Sequence, residues 1–376
     1  MRIAYCIQGL FRTGGIERVV STKANYWVQH GHEVCIITTD QRGHRPAFDL
    51  DSRIRLVDLG LNYEADNQLG RLKRLKALYA KRGEHKHRLE KMLREFGADI
   101  TVSTFFQDAP ILPSIQDGSK KVLELHSAKN TKVLMYPKEQ WVYRLLGRFR
   151  VWQDERIAKR YNAFVILTEE ERGLWTTLNN LHVIPNPRPF DGVIPSALDE
   201  KRILALGRFE YQKNFGELIN IWSEIAPAYP DWELCITGSG PYESKLKEQI
   251  KFLGLEQAVK LRPATREVAQ LYQAASIYAL SSNYEGLPMV LIEAQTFGLP
   301  IVSYACPSGP KDIVTDDLDG YLVNQGDRNV FVEKLTKLMD DQEKRKSMAQ
   351  AALKSSERYS LPTVMAMWER LFEAIR

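Results

Sequence analysis

Ser281-Ser282-Asn283-Tyr284-Glu285-Gly286-Leu287-Pro288-Met289-Val290-Leu291-Ile292-Glu293-Ala294 carries two carboxylates between an apolar, strand-like run and a helical one. The run Ser276 to Leu280 reads as a buried parallel strand, and Val290 to Phe297 as a helix opened by Gly286-Leu287-Pro288. One carboxylate therefore lies at a strand end and the other one turn into a helix. In an open α/β sheet that junction is where ligands bind, because the free N–H groups of a helix start receive phosphate. A phosphate held there leaves both glutamates available for hydroxyl groups. Taken alone, the pair also suits a solvated loop acid and a first-turn helix glutamate favoured by the macrodipole.

Outward from this junction, strands and helices alternate along the whole chain, the pattern of βαβ units on parallel sheets. Upstream strand candidates are Ile3 to Ile7, Glu33 to Thr38, Ile100 to Thr104, Val122 to Leu125, Phe164 to Leu167 and His182 to Ile184. Downstream they are Ile203 to Leu206, Glu233 to Thr237, Val259 to Leu261, Ile277 to Leu280 and Ile301 to Tyr304. Each half can build its own doubly wound sheet, and 376 residues exceed the size at which single cores stop growing. The seam falls at Pro185-Asn186-Pro187-Arg188-Pro189 through Pro195, where proline removes backbone donors and blocks helix continuation. The expected domains are residues 1–190 and 191–360, hinged around a cleft. Leu361 to Ile375 carries Val364, Met365, Trp368, Leu371 and Phe372 at helical spacing, an amphipathic helix that needs a groove.

The 44% hydrophobic and 26% charged fractions are those of an ordinary soluble globular protein. A net charge of +5 conceals an asymmetry: residues 1–190 hold 31 Lys+Arg against 21 Asp+Glu, the remainder 21 against 26. A basic half faces nucleic acid, anionic lipid or a phosphorylated substrate. Met1 to Ile7 is too short an apolar run for a signal peptide, and no segment approaches the ~20 apolar residues of a bilayer span. Cys6, Cys35, Cys235 and Cys306 lie in or beside apolar runs without metal-ligand spacing, which fits reduced core thiols in the cytoplasm.

Two basic stretches stand out. Arg71 to Arg94 holds ten Lys+Arg and two glutamates, with Leu72, Leu75, Leu78, Tyr79, Leu89, Met92 and Leu93 on helical spacing. It suits either an anionic membrane surface or a solvated face over a packed stripe. Trp141-Val142-Tyr143-Arg144-Leu145-Leu146-Gly147-Arg148-Phe149-Arg150-Val151-Trp152 is the second; its aromatic side chains fit a membrane or acceptor surface, or a core.

Three more loops follow strand ends. Thr13-Gly14-Gly15-Ile16-Glu17-Arg18 opens the first helix, and is not the GxGxxG dinucleotide fingerprint. Glycine there lets backbone approach a ligand. Gly207-Arg208-Phe209-Glu210-Tyr211-Gln212-Lys213-Asn214 sets a guanidinium fork and an ammonium where one diphosphate could meet both. Gly238-Ser239-Gly240-Pro241 is a further tight turn, and His126 ends the strand Val122 to Leu125 on the cleft-facing rim.

In this order the motifs resemble those of the retaining glycosyltransferases of the GT-B fold, family 4, over nearly the whole chain. The resemblance implies two Rossmann-like α/β domains facing a central cleft, with the acceptor side N-terminal, the donor side C-terminal, and the last helix (361–376) crossing back. Glu293 is then implied to bind the ribose hydroxyls of a UDP-sugar, and Arg208 and Lys213 its diphosphate. The N–H groups of Leu287 to Val290, beside Gly286 and Pro288, face the phosphates; Met289 lies in that stretch. Glu285 takes hydroxyls of the transferred sugar, His126 contacts that sugar from the opposite wall, and Gly14, Gly15 and Gly238 allow close approach. His126, Arg208, Lys213 and Glu285 form the implied catalytic set. No Asp-x-Asp metal site is apparent, so no metal and no cofactor beyond the nucleotide sugar is expected.

The implied activity is retaining transfer of a hexose or N-acetylhexosamine to a glycan or lipid-linked acceptor in surface polysaccharide synthesis. The enzyme is expected in the cytoplasm, peripheral at the inner membrane face through the basic 71–94 segment, with no nucleic-acid partner. Another GT-B enzyme, an epimerase or phosphorylase, and a non-catalytic nucleotide-sugar-binding partner are the alternatives. Pro263 stands where relatives commonly carry glycine beside the base, Asp312 where glutamate is common, and the Cys306-Pro307-Ser308-Gly309-Pro310 loop resembles those of UDP-hexose and UDP-N-acetylhexosamine users.

Overall fold

The computed structural model describes residues 1–136 and 139–376, without the side chains of Asn67, Arg71, Leu72, Arg74 and Leu75. Strands β1 (Arg2–Ile7), β2 (Glu33–Thr38), β3 (Arg55–Asp58), β4 (Ile100–Ser103), β5 (Lys120–Glu124), β6 (Ala163–Ile166) and β7 (Leu181–Val183) form one parallel sheet. Their order is β3-β2-β1-β4-β5-β6-β7. A second sheet, β10-β9-β8-β11-β12-β13, contains β8 (Arg202–Leu206), β9 (Glu233–Gly238), β10 (Val259–Pro263), β11 (Ile277–Leu280), β12 (Ile301–Tyr304) and β13 (Gly320–Val323). Both sheets start in the middle, wind outward, and reverse direction once, between β1 and β4 and between β8 and β11. The inner strands are buried along almost their whole length because helices cover both faces, which is why they read as unbroken apolar runs.

The helices are α1 (Gly15–Gln29), α2 (Arg71–Phe96), α3 (Thr131–Leu134), α4 (Trp141–Ala158), α5 (Glu169–Arg172), α6 (Phe215–Ile225), α7 (Glu243–Phe252), α8 (Val268–Gln273), α9 (Met289–Thr296), α10 (Pro310–Ile313), α11 (Arg328–Asp340), α12 (Gln342–Ser356) and α13 (Leu361–Ile375). The groove for α13 lies in the first sheet's layer. Val364, Met365, Trp368, Leu371 and Phe372 share a core with Val20, Ala24 and Trp27 of α1, and Trp27 stacks on Phe372 at 5.4 Å. Arg188 in the proline seam donates to Ser356 and Glu357, tying the seam to the run into α13.

Two strands escape the sequence pattern. β3 and β13 are edge strands: β3 is half exposed and bounded by Arg55 and Asp58, and β13 opens on Gly320. β3 lacks the apolar run that burial on both faces imposes, and in β13 that run is only the three residues Tyr321 to Val323. The basic segment 71–94 lies within the single helix α2, which ends at Gly97 in the left-handed conformation (φ +65°). Leu89, Met92 and Leu93 are buried, whereas Tyr79 points to solvent; Leu72 and Leu75 lie outside the described side chains. In α4, Trp141, Val142, Tyr143, Leu145, Leu146, Phe149 and Trp152 are all exposed, so they are not core.

Candidate functional site

The carboxyl ends of the two reversal points face a shared cleft, the place where an open α/β sheet leaves a crevice for ligand. A cavity of about 310 Å³ opens there. Gly14, Gly15 and Arg18 at the start of α1 form one wall, and Gly207, Arg208, Gly238, Met289, Val290 and Glu293 form the other. The second wall is shaped by backbone. A Cβ on Gly238 would stand 1.8 Å from the Gly207 carbonyl oxygen, so the loops after β8 and β9 meet where no side chain fits.

Glu285 and Glu293 occupy different surroundings. Glu285 is buried and held by three donors: Lys213 Nζ at 2.7 Å, Ser282 Oγ at 2.6 Å and Gln212 Nε2 at 3.3 Å. Its own N–H donates to the Pro307 carbonyl at 3.0 Å. Lys213 reaches it because Asn214 adopts a left-handed conformation (φ +50°) that turns the chain into α6. Arg208, by contrast, is mostly exposed and only loosely paired with Glu210 at 3.3 Å, free to swing toward an anion.

Glu293 closes the inner end of the cavity. Tyr272 donates to its Oε2 at 2.7 Å, and Arg18 Nη1 stands 3.8 Å from Oε1. Burial raises the carboxyl pKa above the ordinary 4.5, with Tyr272, Arg18 and Lys213 acting in the opposite direction. Hydroxyl donors arriving at Oε1 would favour the charged form. Of the N–H groups expected between Leu287 and Val290, Pro288 supplies none. Leu287, Met289 and Val290 supply the donors, and none of the three bonds a backbone carbonyl among the described residues. The Leu287 side chain itself packs into the core beneath.

His126 lies across the cleft from Glu285. Gly286 lets the two halves touch, since a Cβ on it would come within 3.2 Å of the His126 carbonyl oxygen. Both ring nitrogens are buried without a hydrogen-bond partner among the described residues, although Nε2 is 3.4 Å from Glu124 Oε1. Behind it, Lys23 Nζ donates to both Glu124 oxygens at 2.5 and 2.6 Å, and lies 4.2 Å from the centre of the Trp368 ring. Burial alone would push the Glu124 carboxyl up, but Lys23 and His126 hold it down at about 2.

The cavity thus gathers Gly14, Gly15, Arg208, Gly238, Met289, Val290 and Glu293. Lys213, Glu285, Gly286 and His126 form a neighbouring group outside its lining. Tyr272 and Arg18 were missed by the sequence reading. Tyr272 follows an apolar spacing that says only core, and Arg18 closes the glycine loop as one more surface cation. Asp312 does not face the cavity: its carboxylate accepts the N–H groups of Glu169 (2.6 Å) and Glu170 (3.2 Å) from the first half. Ser308 donates to Glu171 beside it, and Lys311 pairs with Glu170 at 3.2 Å. Pro263 is exposed at the end of β10, while the following Ala264 and Thr265 line the cavity. Cys6, Cys35, Cys235 and Cys306 are free and buried. Among the described residues no group of three or more His, Cys, Asp or Glu is placed to hold a metal ion.

Residues 190–355 match the family described as glycosyl transferases group 1, and residues 14–187 match the glycosyl transferase 4-like domain. The chain is 30% identical to an uncharacterized glycosyltransferase of Haemophilus influenzae, over 98% of this chain and 99% of that protein. It is 25% identical, over 100% and 99%, to the Campylobacter jejuni protein named GalNAc-alpha-(1->4)-GalNAc-alpha-(1->3)-diNAcBac-PP-undecaprenol alpha-1,4-N-acetyl-D-galactosaminyltransferase. HepE of Anabaena, crystallised in complex with UDP-glucose, shares the fold with a TM-score of 0.70 at 17% identity, covering 100% of this chain and 99% of that one.

Proposed function

The chain belongs to the glycosyl transferases group 1 family and has the GT-B fold, and from that premise we propose a retaining, metal-independent transferase. It moves a hexose or N-acetylhexosamine from a UDP-sugar to a glycan or lipid-linked acceptor in surface polysaccharide synthesis. The observation that carries this reading is the cavity with a buried, two-oxygen acceptor at its inner end and a cation at its mouth. Glu293 accepts the ribose hydroxyls through Oε1 while Tyr272 fixes Oε2. From that anchor the diphosphate runs toward Arg208 and the open N–H groups at the start of α9, a helix terminus suited to an anion.

Lys213 and Glu285 stand at the far side, where the sugar follows the diphosphate. With phosphate present, Lys213 neutralises the charge that develops as the bond from C1 to the phosphate oxygen breaks. Glu285, still held by Ser282 and Gln212, accepts hydroxyls of the sugar. Because its oxygens are committed to donors, it is a poor covalent nucleophile. The acceptor oxygen forms its bond to C1 on the face that the phosphate leaves, and the acceptor proton passes to the departing phosphate. UDP-glucose in the HepE fold and the undecaprenol-linked glycan in the C. jejuni name support the donor and acceptor classes.

Incubation with UDP-sugars, with and without chelator and lipid-linked acceptor, tests the reading through UDP release and the anomeric configuration of the product by NMR. Retained configuration and unchanged turnover in EDTA are expected. An inverted product would overturn retention, and activity lost to chelation would overturn metal independence.

A further inference from the structure

Helix α4 turns its apolar side outward. Trp141 (68% exposed), Leu145 (58%), Phe149 (55%) and Trp152 (49%) lie on that side with Val142 and Leu146. At ~100° per residue the six fall within an arc of about 140°. The opposite side is firmly seated. Val151 and Ala158 are buried, and Gly147 lies so close to α3 that a Cβ would stand 2.3 Å from the Lys132 carbonyl oxygen. One face of α4 therefore has a partner within the chain, and the other has none among the described residues.

Charge is sorted across the same helix. Its acids Asp154 and Glu155 are paired with Lys132 at 2.5 Å and Lys129 at 3.5 Å. Arg148, Arg150, Arg156, Lys159 and Arg160 are exposed and in no ion pair among the described residues. Between α4 and α2 runs a groove of about 590 Å³ whose rim includes Arg82 of α2, Trp152 and Arg156 of α4, and Arg160 in the turn that follows it. The Arg156 guanidinium lies over the Trp152 ring, 4.7 Å from its centre. Asp154 is the acid in that groove, and Lys132 already pairs with it.

We propose that this face docks on an anionic phospholipid bilayer, with the tryptophan, leucine and phenylalanine side chains in the interfacial layer and the arginines on headgroup phosphates. Indole beside arginine is the composition that a membrane interface favours, apolar at one end and wet at the other. Guanidinium forks suit phosphate oxygens. A second copy of the chain is a poor occupant, because a two-fold contact through this face would set arginines against arginines. The membrane contact thus shifts from the 71–94 segment to α4. Among the described side chains of α2, Tyr79 is the large exposed apolar one, so α2 contributes charge and little insertion.

Flotation of the purified full chain with vesicles tests it without any turnover. The protein floats with phosphatidylglycerol–phosphatidylethanolamine vesicles, binds phosphatidylcholine vesicles about tenfold less, and is released by salt. Trp141→Ser/Leu145→Ser/Phe149→Ser and Arg148→Glu/Arg156→Glu/Arg160→Glu each lower the bound fraction by about tenfold, with melting temperatures unchanged. Trp141→Phe/Trp152→Phe keeps binding but loses most of the fluorescence quenching by brominated acyl chains. Triple variants that float like the unmodified chain overturn the proposal. So does light scattering that shows a dimer, dissolved by the serine substitutions, with no lipid binding.

Discussion

Two lysine–glutamate pairs, one in each half of the molecule, have nearly the same geometry and opposite prospects. Lys23 and Glu124 are fully buried beneath Trp368, and Lys23 donates to both carboxylate oxygens. Lys213 and Glu285 sit at the cleft, 2.7 Å apart, and Glu285 has Ser282 and Gln212 as further donors. If Lys213 leaves for a phosphate, Glu285 remains satisfied. If Lys23 left Glu124, a carboxylate would be stranded in the core with His126 Nε2 at 3.4 Å as the nearest charge partner. Redundant donors mark the exchangeable pair, and their absence marks the fixed one.

The fixed pair should give the largest effect. Lys23→Met leaves an uncompensated buried charge and is expected to cost about 3–5 kcal/mol in urea unfolding. Lys23→Met/Glu124→Leu should recover most of that stability, since two apolar side chains replace two charges. Turnover should not recover with it, because His126 has lost the carboxylate beside it. A double variant as unstable as the single one would show that the pair is more than mutual compensation. The sign with pH follows: a carboxyl held at about 2 stabilises fully above its ordinary 4.5, and that contribution is lost as pH falls through about 2.

At the exchangeable pair the balance reverses. Lys213→Ala should lower kcat by roughly 10²–10³, the loss typical of one preorganised electrostatic contact, while stability falls less than in Lys23→Met, because Ser282 and Gln212 still donate to Glu285. Full turnover in this variant would remove Lys213 from the leaving-group role. Unfolding as severe as that of Lys23→Met would erase the distinction between the pairs.

Only one of these pairs was visible in the sequence. Gly207 to Lys213 and the Glu285-Gly286-Leu287-Pro288 turn each carry a local signature, and glycine and proline say where backbone must come close. Lys23 and Glu124 lie 101 positions apart, and each reads locally as an ordinary charge on a helix and at a strand. Tyr272 was hidden for the same reason: its hydroxyl matters because of Glu293, 21 positions later, and spacing reports only its ring. Inner strands and α13 were legible because burial imposes apolar patterns. The edge β3, half free of that demand, was not, and neither was β13, which is buried but offers only three apolar residues after Gly320. For α4, periodicity could not say whether an aromatic face meets core or lipid.

Glu293 provides a smaller effect with a definite sign. Burial raises its carboxyl pKa above 4.5, so in the ligand-free protein ionisation works against folding as pH rises, and Glu293→Gln should melt higher at neutral pH. UDP binding should show the opposite preference, since ribose hydroxyls donate to the carboxylate. Calorimetry should find affinity weakening by about tenfold per pH unit once pH drops below the raised value, and a flatter profile in Glu293→Gln. Parallel profiles in the two proteins would separate Glu293 from the nucleotide.

Arg18 should matter least, and its small size is informative. Its guanidinium is 3.8 Å from Glu293 Oε1, beyond a hydrogen bond, partly exposed, and also 5.1 Å from the centre of the Phe48 ring. A pair of this kind contributes about 0–1 kcal/mol and is screened by salt. Arg18→Ala should therefore weaken UDP binding less than about fivefold at low ionic strength, with the difference vanishing in high salt. A tenfold loss that survives salt would mean that Arg18 touches the nucleotide directly. The first half would then hold the donor as firmly as the second, and the cleft would have exchangeable cations on both walls.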